Sequence, residues 1–200
     1  AMLDLDDKQN NDKLAQLKKL YLTKLKTFKP TLGTQYWVTD KRLLNSLELG
    51  LIHLLFPESP ILHVVRHPLD VCLSSYFTNF TSHAYTDDLL TTAHKFVQVI
   101  NQVNHARSQI SLKYQIVRYE DLVNKPQENI KTILDFIGEP WNDTCMNFYN
   151  NKRVARTASY AQVNQPLYTS SIHRYKNYQK QLEEIIPILE PVMGLLGYKV

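Results

Sequence analysis

Glycine is scarce in this chain: five in 200 residues, at 33, 50, 138, 194 and 197. None sits in a G-x-x-x-x-G-K-[ST] or G-x-G-x-x-G arrangement, so the standard glycine loops that bring backbone close to a phosphate are absent. No G-x-S-x-G elbow occurs either. Cysteine is scarcer still. Cys72 and Cys145 are far apart and make no metal-like pair; they suit a reducing compartment, and the cytoplasm is the expected location. The seven histidines, at 53, 63, 67, 83, 94, 105 and 173, show no metal-ligand spacing with carboxylates or cysteines, so no metal is expected. His53 and His63 read as helix or core residues. Apolar runs stop near roughly ten residues, too short to cross a bilayer. No basic patch followed by an apolar run marks a secretory leader, and Ala1-Met2 reads as a tag remnant ahead of a start codon. Asn79-Phe80-Thr81 and Asn142-Asp143-Thr144 match the glycosylation pattern and, without a leader, read as chance.

What is present is enough for a core. The chain is 44% hydrophobic and 21% charged, which suits one domain over residues 1–200 rather than a disordered segment. A net charge of +4 suits an anionic ligand without the dense basic face of a nucleic-acid binder. Neither nucleic acid nor a membrane is an expected partner.

Residues 1–12 are polar and acidic and read as frayed. Leu14, Leu17, Tyr21, Leu25 and Phe28 then recur on one helical face, ended by Pro30 and Gly33. Gln35–Val38 is a short strand candidate, and 43–56 reads as one helix stopped by Pro57. Ile61-Leu62-His63-Val64-Val65, bounded by prolines, predicts a buried strand. Pro68 suits the first turn of a helix running to about Phe80. Asp87 or Asp88 caps a long helix to about Ile110. Tyr114–Tyr119 is a third strand, and Pro126 opens a helix closed by Gly138 and Pro140. Residues 150–171 read as irregular, and 173–195 as a helix bent or broken at Pro187 and Pro191. Strands separated by helices imply an α/β, three-layer domain with a mostly parallel sheet flanked by helices.

Three segments could carry chemistry. In Val64-Val65-Arg66-His67-Pro68-Leu69-Asp70, continuing to Ser74, a strand ends, a guanidinium emerges and a helix begins. Ligands of open α/β sheets bind at that edge, and the helix start favours an anion. Arg66 could clamp a phosphate and Ser74 add a hydroxyl; equally, Arg66 could pair with Asp70 on the surface and Ser74 be a small helix residue. Tyr119, in Tyr119-Glu120-Asp121-Leu122 at the next strand end, could stack on an aromatic base or pack in the core with a wet hydroxyl. The 156–175 stretch is dense in hydroxyl, amide and guanidinium groups, as a functional loop or a solvated connection would be.

Together these segments resemble the sulfotransferases that use 3′-phosphoadenosine 5′-phosphosulfate, and especially the tyrosylprotein-type members and the bacterial domains that accompany tetratricopeptide repeats. The resemblance spans about residues 33–178. It implies a P-loop-like sulfotransferase fold, with Arg66 and Ser74 on the 3′-phosphate at the family's spacing and Tyr119 on the adenine. The loop pattern S-x-x-Q-V-x-x-P, then a basic and an aromatic residue, is met by Ser159, Gln162, Val163, Pro166, Arg174 and Tyr175. By the same likeness Gln162 and Arg174 serve the donor. Lys41, in Thr39-Asp40-Lys41 before Asn45, and Ser159 stabilise the transferring sulfonate, whose developing charge preformed cationic and hydroxyl donors would meet.

Two family features are not in the sequence. The P-x-S-G-T-T-like turn that cradles the 5′-phosphosulfate is missing, and so is the acidic base that follows it; Asp4, Asp6, Asp7, Asp12 and Asp40 lack that context. The resemblance thus implies an N-terminally incomplete domain without the usual first strand. Expected of this stretch alone are weak binding of the 3′-phosphoadenosine half, no sulfonate transfer, and an exposed sheet edge open to a second copy or a complementing chain. The acceptor would be a hydroxyl of tyrosine, a glycan or a small molecule, facing residues 79–95 and 143–156. The alternative is a non-catalytic nucleotide-binding or interaction module with a degenerate form of the fold. A nucleotide-kinase relative is a weaker third reading, since it would need the same missing loop and leave the serine-rich segment without a role.

Overall fold

The computed structural model describes residues 8–28, 38–78, 84–150 and 165–199. Strand β1 (Ile61–Val65) lies parallel to β2 (Tyr114–Arg118), in register from Ile61 opposite Tyr114 to Val65 opposite Arg118. Parallel neighbours need a crossover, which helices α3 (Pro68–Thr78) and α4 (Leu89–Gln109) supply. This is an α/β fold, helix-rich around a small parallel sheet.

The core forms where the crossover returns. Val65 and Ile116 of the sheet meet Leu69, Cys72 and Leu73 of α3 and Ala93 and Ile100 of α4. The last helix, α8 (Ile186–Leu195), closes the core with Leu189, Val192 and Met193. Against β2 pack α5 (Tyr119–Asn124) and α6 (Pro126–Ile137). The opposite face of β1 is open: Leu62 is 37% and Val64 61% exposed. The expectation of a fully buried strand therefore fails at these two positions, because no described element covers them.

Local signals explain most boundaries. Asp88 is the N-cap of α4, its carboxylate accepting the Thr91 N–H at 2.7 Å and the Thr91 hydroxyl at 2.6 Å. Pro126 opens α6, and Gly138 ends it with φ 80°. The expected single helix over 43–56 is instead a 3-10 turn, Leu43–Leu47, and helix α2 (Leu49–Leu55), parted at Glu48. Polar side chains favour the tighter turn: Ser46 donates to the Leu43 carbonyl at 2.9 Å, and Asn45 bonds Asp40. The C-terminal helix is segmented, but upstream of the two prolines expected to break it: a 3-10 turn Arg174–Tyr178, α7 (Gln179–Leu182), a second turn Glu183–Ile185, then α8, which has Pro187 in its first turn, where a missing N–H costs nothing, and runs on through Pro191.

Residues 8–12, expected to fray, begin the long helix α1 (Lys8–Phe28), while 1–7 lie outside the described residues. Tyr21 fastens α1 to the chain beyond it: its ring lies 5.4 Å from Phe56, and its hydroxyl donates to Asp40 at 2.7 Å. Of the strand expected at 35–38, residues 35–37 lie outside the described residues and Val38 is exposed and not in a strand. Among the described residues the sheet thus has two strands, and no helix is long and apolar enough to cross a membrane.

Candidate functional site

Because Val65 pairs with Arg118, the residues that follow them are neighbours at the carboxyl edge of the sheet. Arg66 accordingly holds its guanidinium over the Tyr119 ring, 5.3 Å from the centroid. One Arg66 nitrogen, Nη2, donates to the Ser171 carbonyl and lies 3.7 Å from the Asp70 carboxylate. Among the described residues its buried Nε has no hydrogen-bond partner. The pair with Asp70 forms but is not the surface pair expected, because the Asp70 side chain is buried; Arg66 still has a donor to offer. Tyr119 is half-buried. Burial raises its pKa despite the opposing pull of Arg66, so the hydroxyl stays protonated and can donate.

Ser74 sits farther along α3, and Phe77 follows three residues later on the same face. Arg174 comes to that face from the far end of the chain, its guanidinium 5.9 Å from the Phe77 ring. Arg66 and Tyr119 thus meet at the strand ends just before α3, while Ser74 and Arg174 lie farther along that helix, Arg174 against Phe77 in its last turn.

A buried polar network, with no motif of its own in the sequence, fixes this cluster. Glu120 accepts the His67 backbone N–H at 2.9 Å and the Tyr198 hydroxyl at 2.6 Å, tying β1's end to β2's and to the C-terminal segment. Burial alone would raise the Glu120 pKa; the bonds from Tyr198 and His67, with Arg118 nearby, outweigh it and hold the carboxyl below its ordinary value. The His67 ring stacks on Tyr175 at 4.2 Å and contacts Tyr198 edge-on at 5.1 Å. Burial keeps His67 below the usual histidine pKa. Asp70, wholly buried, accepts the backbone N–H groups of His173 and Tyr175, each at 2.8 Å. The only sequence signal for these acids was their place just past two strand ends.

Other expected residues stand apart. Lys41 is exposed ahead of the 3-10 turn, and no described hydrogen bond or ring contact joins it to Arg66, Ser74, Tyr119 or Arg174. Ser159 and Gln162 lie outside the described residues, as do 79–83 and 151–156 of the expected acceptor surfaces. Among the described residues no group of three or more histidines, cysteines or acids could hold a metal. One cavity, of about 490 Å³, is lined by Lys125, Pro126, Gln127, Glu128, Lys131 and Met146, away from the strand ends. It lacks the buried guanidinium donor and stacked ring of Arg66 and Tyr119, which make the stronger candidate.

Residues 2–143 match the model of a family described as the Sulfotransferase family. A protein of Aquifex aeolicus (strain VF5), described only as an uncharacterized protein, is 31% identical over 157 residues, covering 76% of this chain and 21% of its own. The chain therefore spans about a fifth of the length of that curated relative. Among solved structures, the Sulfotransferase Domain from the Curacin Biosynthetic Pathway superposes with a TM-score of 0.69 at 18% identity, over 98% of this chain and 76% of that chain, a likeness of fold.

Proposed function

Because the chain belongs to the sulfotransferase family, we propose that its strand-end cluster holds the nucleotide of 3′-phosphoadenosine 5′-phosphosulfate, the donor of a sulfuryl group to a hydroxyl acceptor. One observation carries this reading: the Arg66 guanidinium lies over Tyr119, and among the described residues its buried Nε has no partner. A buried donor without a partner fits a site made to receive an anion. Arg66 and Ser74 would take the 3′-phosphate, Tyr119 the adenine, and Arg174 a further charge of the donor. Gln162 joins them, and Lys41 and Ser159 act on the sulfonate, by family likeness alone. The acceptor is a tyrosine, a glycan or a small molecule.

The fit covers the nucleotide half only. With no P-x-S-G-T-T-like turn in its sequence, this stretch alone binds nucleotide and turns nothing over. Both cysteines are free, Cys72 buried in the core, as suits the reducing compartment, the cytoplasm, that we propose. The second reading, a non-catalytic nucleotide-binding module, is favoured by one observation: Lys41 is exposed, and among the described residues no hydrogen bond or ring contact joins it to the cluster.

Calorimetric titration with 3′-phosphoadenosine 5′-phosphate tests the site. Arg66→Ala, by removing a charge-assisted contact, should cost about 1.5–3 kcal/mol, roughly tenfold or more in affinity. A parent chain that shows no binding would sink the nucleotide reading. Binding that Arg66→Ala leaves intact would move the site elsewhere. A sulfotransfer assay on the same samples separates the two readings of activity.

A further inference from the structure

We propose that Asp70 is a positioning residue that sets Arg66 and Arg174 as one anion-binding pair; the inference rests on the reading of both arginines as donor ligands. The argument is geometric. The amides of His173 and Tyr175 flank Arg174 in the chain, and both donate to the same carboxylate, to Oδ2 and Oδ1 respectively, at 2.8 Å each. Two bonds across one intervening residue fix the backbone at Arg174. Asp70 Oδ2 also faces Arg66 Nη2 at 3.7 Å. A single buried carboxylate thus holds the strand-end cation directly and the C-terminal cation through its backbone.

The surroundings show that this segment is held rather than merely adjacent. His173 has φ 56°, in the left-handed region, which is costly for a residue with a Cβ and persists only where other contacts impose it. Charge-assisted amide bonds to Asp70 supply that constraint. Tyr175, next along, is pinned by its stack on His67. Arg174, exposed between the two, is left with Phe77 beneath it and Ser74 on the same face of α3. An Asn at position 70 would turn an N–H₂ toward one of the two amides, open the clamp on that side and remove the counter-charge of Arg66.

The test is a double-mutant cycle: titration of 3′-phosphoadenosine 5′-phosphate into the parent chain, Asp70→Asn, Arg174→Ala and the double variant. In the parent, Arg174→Ala should lower affinity about tenfold. In the Asp70→Asn background the same substitution should cost less than about twofold, because Arg174 is no longer placed. A merely structural role for Asp70 would leave the two effects additive, and about tenfold losses in both backgrounds would overturn the proposal while the donor site stands. No loss from Arg174→Ala in the parent would overturn the assignment of Arg174, and this inference with it. If circular dichroism shows Asp70→Asn unfolded, an ester in place of the Tyr175 amide removes one clamp donor and keeps every side chain. With that ester, Arg174→Ala should again have little effect, and an undiminished effect would overturn the proposal.

Discussion

Glu120 is the residue on which the two strand ends depend. It is buried, negatively charged, and bonded to a backbone amide 53 positions away and a hydroxyl 78 positions away. Glu120→Gln keeps the shape and loses the charge, and should lower unfolding stability at neutral pH by about 1.5–3 kcal/mol. The sign with pH follows from its depressed folded-state pKa. Its stabilisation is full above the ordinary glutamate value and is lost as pH falls through the folded one. Denaturant melts of both proteins across that range should show the gap closing on acidification, and a gap independent of pH would refute this role. Arg66, Ser74 and Tyr119 were picked out by likeness to the family's motifs, Arg66 and Tyr119 at strand ends that the structure places side by side. The roles of Asp70 and Glu120 were not, because their partners lie 53 to 105 residues away and only folding brings them near. The ion pair read for Arg66 and Asp70 forms, but not on the surface: Asp70 is buried, and its carboxylate also holds two backbone amides.

At the scale of elements, stop signals were more legible than continuity. Pro126, Gly138 and Asp88 act through backbone sterics or a local bond, so their effects can be read within a few residues. The break between Leu47 and Leu49 could not be, because apolar spacing over 43–56 is the same for one helix or two. Two exposed glycines make the element argument testable. Gly138 has φ 80° and nothing within 4 Å of the place a Cβ would take, so Gly138→Ala should destabilise by about 1 kcal/mol through backbone strain alone. Gly50, inside α2 with equally open space, should respond in the opposite sense, Gly50→Ala stabilising by roughly 0.5 kcal/mol. Thermal or denaturant unfolding reads both, and equal signs would show that these helix ends are set by something other than glycine's backbone freedom.

At the scale of the whole molecule, the site is where three distant parts of the chain meet. The ends of β1 and β2 lie side by side, and the segment from Ser171 to Lys199 returns across them through Arg66, Asp70, Glu120 and His67. The parallel α/β arrangement was legible because helical and strand patterns alternate; the open face at Leu62 and Val64 was not, since an apolar run looks alike whether or not it is covered. The central claim is that this meeting point receives an adenosine bisphosphate. The most direct test is to follow backbone amide resonances while 3′-phosphoadenosine 5′-phosphate is added. Shifts concentrated at Arg66–Ser75, Tyr119–Asp121 and Ser171–Tyr175 are the predicted result. Shifts confined to Lys125–Lys131 and Met146, around the separate cavity, or no shifts at all, would contradict it.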